Sequence, residues 1–148
     1  MKERQPRYLI SACLTGQCCR YDGGAFDLPR LARLAEEGIA LPFCPECAGG
    51  LPTPRPPCEI QGDKVLTATG KNCTAEYRRG AELALALCRK KGITAAILKE
   101  NSPSCGSTHI YDGSHTGKRI SGQGIAAALL AANGITLYTE KKLPDDVK

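Results

Sequence analysis

The chain has no tryptophan, and aromatic residues make up only 5% of it. Proteins that hold single-stranded nucleic acid stack bases on aromatic platforms, so this scarcity argues against such a partner. Its 20 Lys and Arg residues are scattered rather than gathered in a block, and a net charge of +5 favours anionic ligands only weakly. Long apolar runs are missing too. The longest, Gly124–Ala132, falls far short of the roughly 20 residues that cross a bilayer. The first ten residues, MKERQPRYLI, lack the apolar stretch of a signal peptide. These absences predict a cytoplasmic protein with neither a membrane nor a nucleic-acid partner.

Cysteine, by contrast, is abundant. Nine stand at positions 13, 18, 19, 44, 47, 58, 73, 88 and 105. An odd count without a secretion signal does not suit a disulfide framework. Thiols at this density in a reducing compartment point to metal binding or thiol chemistry. The remaining composition is ordinary, with 42% apolar and 24% charged residues. A chain of 148 residues buries about 68–70% of its unfolded surface, enough for one core. We read residues 1–148 as a single domain with a short polar C-terminal tail.

The pattern alternates strands with helices. Arg7–Cys13, Ile39–Cys44, Ile93–Leu98 and Ile135–Thr139 are short apolar runs that predict strands. Between them, helices are predicted over Asp27–Glu37 (capped by Asp27), from Asn72 or Thr74 to Lys91, and over Gln123–Ala132. Each hands over to a strand through the same device: Gly38-Ile39, Gly92-Ile93 and Gly134-Ile135. The Pro- and Gly-rich stretch from Pro45 to Asn72 reads as loop with room for a small hairpin, and Asn101–Gly124 as turns. Pro42 predicts an edge position for the second strand. The fold class is therefore α/β: a single three-layer domain with a small, mainly parallel, Rossmann-like sheet.

On that map Cys13, Cys44 and Cys105 lie at or just beyond the carboxyl ends of the first three strands. Ligands of parallel α/β sheets bind there, near a topological switch point. Three thiols from three strand ends predict one metal centre of zinc, Cu(I) or iron–sulfur type. Two other readings compete. Cys44-Pro45-Glu46-Cys47 has zinc-knuckle spacing, yet no second pair accompanies it. A thioredoxin-like role would need a helix after the motif, and Gly49-Gly50-Leu51-Pro52 is a poor helix. Cys88 reads as a core residue, Cys58 and Cys73 as structural, and His109 and His115 as surface residues in polar turns. Read alone, Glu46 fits a surface loop as well as a catalytic site, and Ser102 fits a turn.

Several separated motifs run in one register: Ser11-Ala12-Cys13-Leu14, Cys19-Arg20-Tyr21-Asp22-Gly23, Cys44-Pro45-Glu46, Gly49-Gly50-Leu51 and Pro54-Arg55. They continue in Ser102-Pro103-Ser104-Cys105-Gly106, Ile110-Tyr111-Asp112-Gly113 and Gly122-x-Gly124. From about Tyr8 to Tyr138 the chain resembles the thiouracil desulfidase family. The resemblance implies a 4Fe-4S cluster held by Cys13, Cys44 and Cys105, with a fourth iron lacking a protein ligand. It implies removal of sulfur from a small thiolated nucleobase such as 2-thiouracil, without net redox chemistry, and it makes Glu46 and Ser102 catalytic. Arg20, Asp22 and Arg55 are candidates for orienting substrate or for structural ion pairs. Ser104 and Ser107 are candidates for hydrogen bonds to the cluster. Gly122-x-Gly124 could offer helix N–H groups to an anion. Cys18, Cys19 and above all Cys47 add thiols close to the centre. A fourth thiolate would close the site, which keeps a non-catalytic metal-binding module (structural zinc or a closed cluster) as the alternative.

Overall fold

A computed structural model describes residues 5–147. Four strands, β1 (Tyr8–Ser11), β2 (Ala40–Phe43), β5 (Ala95–Leu98) and β8 (Thr136–Thr139), form a parallel sheet in the order β2-β1-β5-β8. The chain moves from β1 outward to β2, then returns across β1 to β5. The order therefore reverses between β1 and β5, at the predicted switch point. Pro42 lies on the edge strand β2, where its missing N–H costs no ladder bond.

Alternation along the strands sorts the core into two layers. Tyr8, Ile10 and Ile97 pack with Leu31 and Leu34 of α1 (Pro29–Glu36) on one face. Leu9, Ala96 and Leu98 pack on the other against Ala84, Leu85 and Cys88 of α3 (Thr74–Lys91) and Ala127 and Leu130 of α4 (Ile125–Ala132). Cys88 is fully buried there, as its neighbours predict. The three-layer α/β reading holds. Gly38, Gly92 and Gly134 all adopt positive φ, so the repeated helix-to-strand device works as read.

Local details differ. The first helix begins at Pro29 with Leu28 as its N-cap, and no side chain caps it. Proline holds the residue before it in an extended conformation, which leaves Asp27 one position too early to cap. The loop after β2 holds a hairpin of β3 (Cys58–Gln61) and β4 (Lys64–Thr67). A second hairpin, β6 (His109–Tyr111) with β7 (Arg119–Ser121), occupies the segment read as turns. The C-terminal tail is not a free polar end. It folds back as a 3-10 turn, Asp145–Val147, burying Val147 against the α1 layer while Tyr8 donates to Asp146 at 2.6 Å. No helix among the described residues is long and apolar enough to cross a membrane.

Candidate active site

A cavity of about 370 Å³ opens at the carboxyl ends of β2, β1 and β5. Cys13 reaches it from a 3-10 turn, Ala12–Thr15, that follows β1 directly. Cys44 directly follows β2 and serves as N-cap of a one-turn helix, α2 (Pro45–Ala48). Cys105 arrives from the loop beyond β5 and is buried, with 4% of its surface exposed. The three thiols read from strand ends thus border one space. Cys19 and Cys58 border it as well. Cys47 does not. Its Sγ lies 3.4 Å from the Thr53 hydroxyl and 3.8 Å from the Arg55 guanidinium. Cys19 is thus the one of Cys18, Cys19 and Cys47 that borders the cavity, while Cys47 packs beside Cys44, both thiols approaching the Cys19 carbonyl at 3.8 and 3.9 Å.

The CxxC segment does open a helical turn, contrary to the expectation from Gly49-Gly50. That turn is clamped against α3 by two glycines. A Cβ on Gly49 would sit 2.0 Å from the Glu76 carbonyl oxygen, and one on Gly80 would sit 1.9 Å from the Pro45 carbonyl oxygen. Only glycine permits this approach of α2 to α3. The clamp fixes where Glu46 points.

Glu46 stands at the centre of a hydrogen-bond network. Its Oε1 accepts from the Tyr77 hydroxyl at 2.8 Å and from Arg55 Nε at 3.1 Å. The ion pair is well screened from water, with side-chain exposures of 4% for Arg55 and 14% for Glu46. Arg55 also donates to the carbonyls of Pro52 and Cys19 and to the Thr53 hydroxyl, tying two loop segments to the guanidinium that holds Glu46. Glu46 Oε2 faces Ser102, whose hydroxyl donates to it at 3.4 Å. The Ser102 oxygen accepts the backbone N–H groups of Ser104 and Cys105 at 3.1 and 3.0 Å. With its acceptor sites filled, the serine proton is free to point at Glu46.

The loop bearing Ser102 and Cys105 is organised by Glu100. Its Oε1 accepts from the N–H groups of Ser107, Thr108 and His109, and its Oε2 from the Thr108 hydroxyl at 2.7 Å. Burial alone raises the Glu100 pKa, but the N–H of His109 and the other donors overcome it and hold the group at about 2. Burial pushes the Cys105 thiol up to about 12, opposed in part by the Ser11 hydroxyl. The Cys44 thiol is pushed up as well, first by its contact with Cys19 and then by burial. Burial raises Cys47 too, so neither thiol of the Cys44–Cys47 pair is depressed as in a redox-active CxxC motif.

Other sequence candidates fall elsewhere. The N–H groups at the start of α4 are taken by protein carbonyls: Gly124 donates to Gly106, Ile125 to Pro103, and Ala126 and Ala127 to Ser104. The Gly122-x-Gly124 turn therefore presents none of those N–H groups to an anion. Arg20 lies over the Phe26 ring at 4.4 Å and pairs loosely with Asp22 at 3.9 Å. His109 is exposed as read, but His115 is largely enclosed and faces Glu59 at 3.6 Å. Tyr77, Lys99 and Glu100 border the cavity and were not singled out from sequence. Tyr77 did leave a signal: it is the one polar-headed member of a helical stripe of Gly80, Ala81, Ala84, Leu85 and Cys88.

A family model described as 2-thiouracil desulfurase matches residues 8–142. The chain belongs to this family. It is 42% identical over 147 residues to the uncharacterized protein YbbK of Bacillus subtilis (strain 168), covering 93% of this chain and 97% of that protein. A solved structure described as the 4Fe-4S-dependent thiouracil desulfidase TudS superposes with a TM-score of 0.90 at 52% identity. That match covers 95% of this chain and 94% of the other. The family's donor set suits a thiolate-bound iron–sulfur centre here, because three soft ligands converge on one cavity from three strand ends. Among the described residues, no three His, Cys, Asp or Glu side chains close on a point as a single ion requires.

Proposed function

We propose that this chain is a 4Fe-4S-dependent desulfidase that converts a thiolated pyrimidine of the 2-thiouracil type to its oxo form and sulfide. In this reading Cys13, Cys44 and Cys105 hold the cluster, and Glu46 and Ser102 carry the proton chemistry. The observation that carries it is the convergence of three thiols and a partly buried, hydrogen-bonded carboxylate on one cavity.

When bound, a cluster held by three thiolates supplies one open iron, a Lewis acid that polarises the C=S bond of the substrate. The protein supplies the rest. Glu46 Oε2 takes a proton from the attacking water, since Oε1 is already occupied by Tyr77 and Arg55. Ser102 passes its proton toward the departing sulfur and is replenished from Glu46 across their 3.4 Å contact. The two backbone N–H groups on Ser102 stabilise the charge that builds on its oxygen. Water adds one oxygen and sulfide leaves with two protons in all, so no electrons are exchanged. A small heterocycle suits a cavity of about 370 Å³.

The test is direct. Anaerobically reconstituted protein given 2-thiouracil is expected to release sulfide and uracil in equal amounts without added reductant. Dependence on an electron donor, or no turnover from a fully loaded protein, would count against the reading.

A further inference from the structure

The two oxygens of Glu46 sit in unlike surroundings, and the difference is built by a residue outside the family motifs described above. Tyr77 lies in the first turn of α3, with 2% of its surface exposed. Its hydroxyl donates to Glu46 Oε1 at 2.8 Å, alongside Arg55 Nε at 3.1 Å. Behind it lie Cys58 and Cys73 in a small buried cluster with Val65. Gly80, one turn further along α3, is the residue that lets Pro45 and hence Glu46 approach. Tyrosine and glycine thus act from one helix face, one setting the distance and the other the orientation. We propose that Tyr77 is a positioning residue for the desulfuration reaction: with Arg55 it locks Glu46 Oε1 so that Oε2 alone faces Ser102 and the substrate. This rests on the role given to Glu46 above.

Burial pushes the Tyr77 pKa upward, and the neighbouring Glu46 charge pushes it further, so the hydroxyl remains a donor throughout the working range. A carboxylate oxygen with two buried donors is a poor proton acceptor, while its partner with one long contact is a good one. Removing the hydroxyl frees the carboxylate to rotate about its last torsion and spreads the proton-accepting lone pairs over two positions. The loss belongs to the chemical step and not to substrate binding.

Tyr77→Phe keeps the ring and its packing. The expected result with 2-thiouracil is a kcat about 10–100-fold lower, KM within about twofold of wild type, and unchanged iron content. Glu46→Gln measured beside it defines the background. In that background Tyr77→Phe is expected to add nothing, because both changes act through one carboxylate. A Tyr77→Phe variant with wild-type kcat overturns the proposal, as does a loss that multiplies with that of Glu46→Gln. Should Glu46→Gln itself run at the wild-type rate, the role assigned to Glu46 fails, and this proposal with it. The same four chains, freed of iron, provide a readout apart from turnover. Their melting temperatures should fall by less in the double variant than the two single losses predict, and simple additivity would contradict the contact.

Discussion

The thiols and the carboxylate that share the cavity come from different kinds of structure. Cys13 and Cys44 follow β1 and β2 within two residues, so the parallel sheet places them directly. Glu46 stands only two residues beyond Cys44, yet nothing in the sheet orients it. Its direction comes from α3 through the Gly49 and Gly80 contacts, and from Arg55 in the loop before β3. The sheet thus places Cys13 and Cys44 directly, whereas Glu46, Ser102 and Cys105 depend on segments inserted between or beyond its strands. The two can fail separately.

That separation gives the predictions their order. Glu46→Ala strikes the inserted side and is expected to cut sulfide release by about 10²–10⁴-fold while leaving iron content intact; parallel iron and sulfide assays check it. Gly80→Ala strikes the clamp. It forces α2 away from α3 at Pro45 and is expected to cost about 3 kcal/mol in denaturant unfolding, since its Cβ would lie 1.9 Å from a backbone oxygen. A cost below about 0.5 kcal/mol would show that the helices separate freely.

Glu100 offers a subtler probe on the loop that carries Ser102 and Cys105. Its folded pKa of about 2 lies below its ordinary value of 4.5, because its donors outweigh its burial. The stabilisation is therefore complete above pH ~4.5 and is lost as pH falls toward about 2. On the order of 2–3 kcal/mol should disappear across that window in the wild type. Glu100→Gln should lack this component, with unfolding followed against pH in both chains. The smallest effect is expected from Cys47→Ala. Cys47 turns toward Thr53 and Arg55 instead of bordering the cavity, so iron per chain should not change.

The parallel sheet was legible because its signals are local: apolar runs, helix-ending glycines and a proline on an edge strand. The strand-end thiols followed from topology before any family was considered. The motifs that flagged Glu46 and Ser102 said nothing of what holds them. Tyr77 lies 31 residues from Glu46, and only packing brings them together. The β6–β7 hairpin escaped notice because its strands are three residues each and its connection is rich in Gly, Ser and Asp. Glu100 carries no local signal, since its partners are backbone N–H groups from a loop folded over it. His115 looked like a surface turn residue, but Glu59 also accepts the N–H of Gly113 and draws that loop inward.

The most direct test is iron and acid-labile sulfide per chain after anaerobic reconstitution, comparing wild type with Cys13→Ser/Cys44→Ser/Cys105→Ser. About four of each is expected in the wild type, with both lost in the triple variant. Zinc in place of iron, or iron retained without those three thiols, would contradict a centre built on the three strand ends.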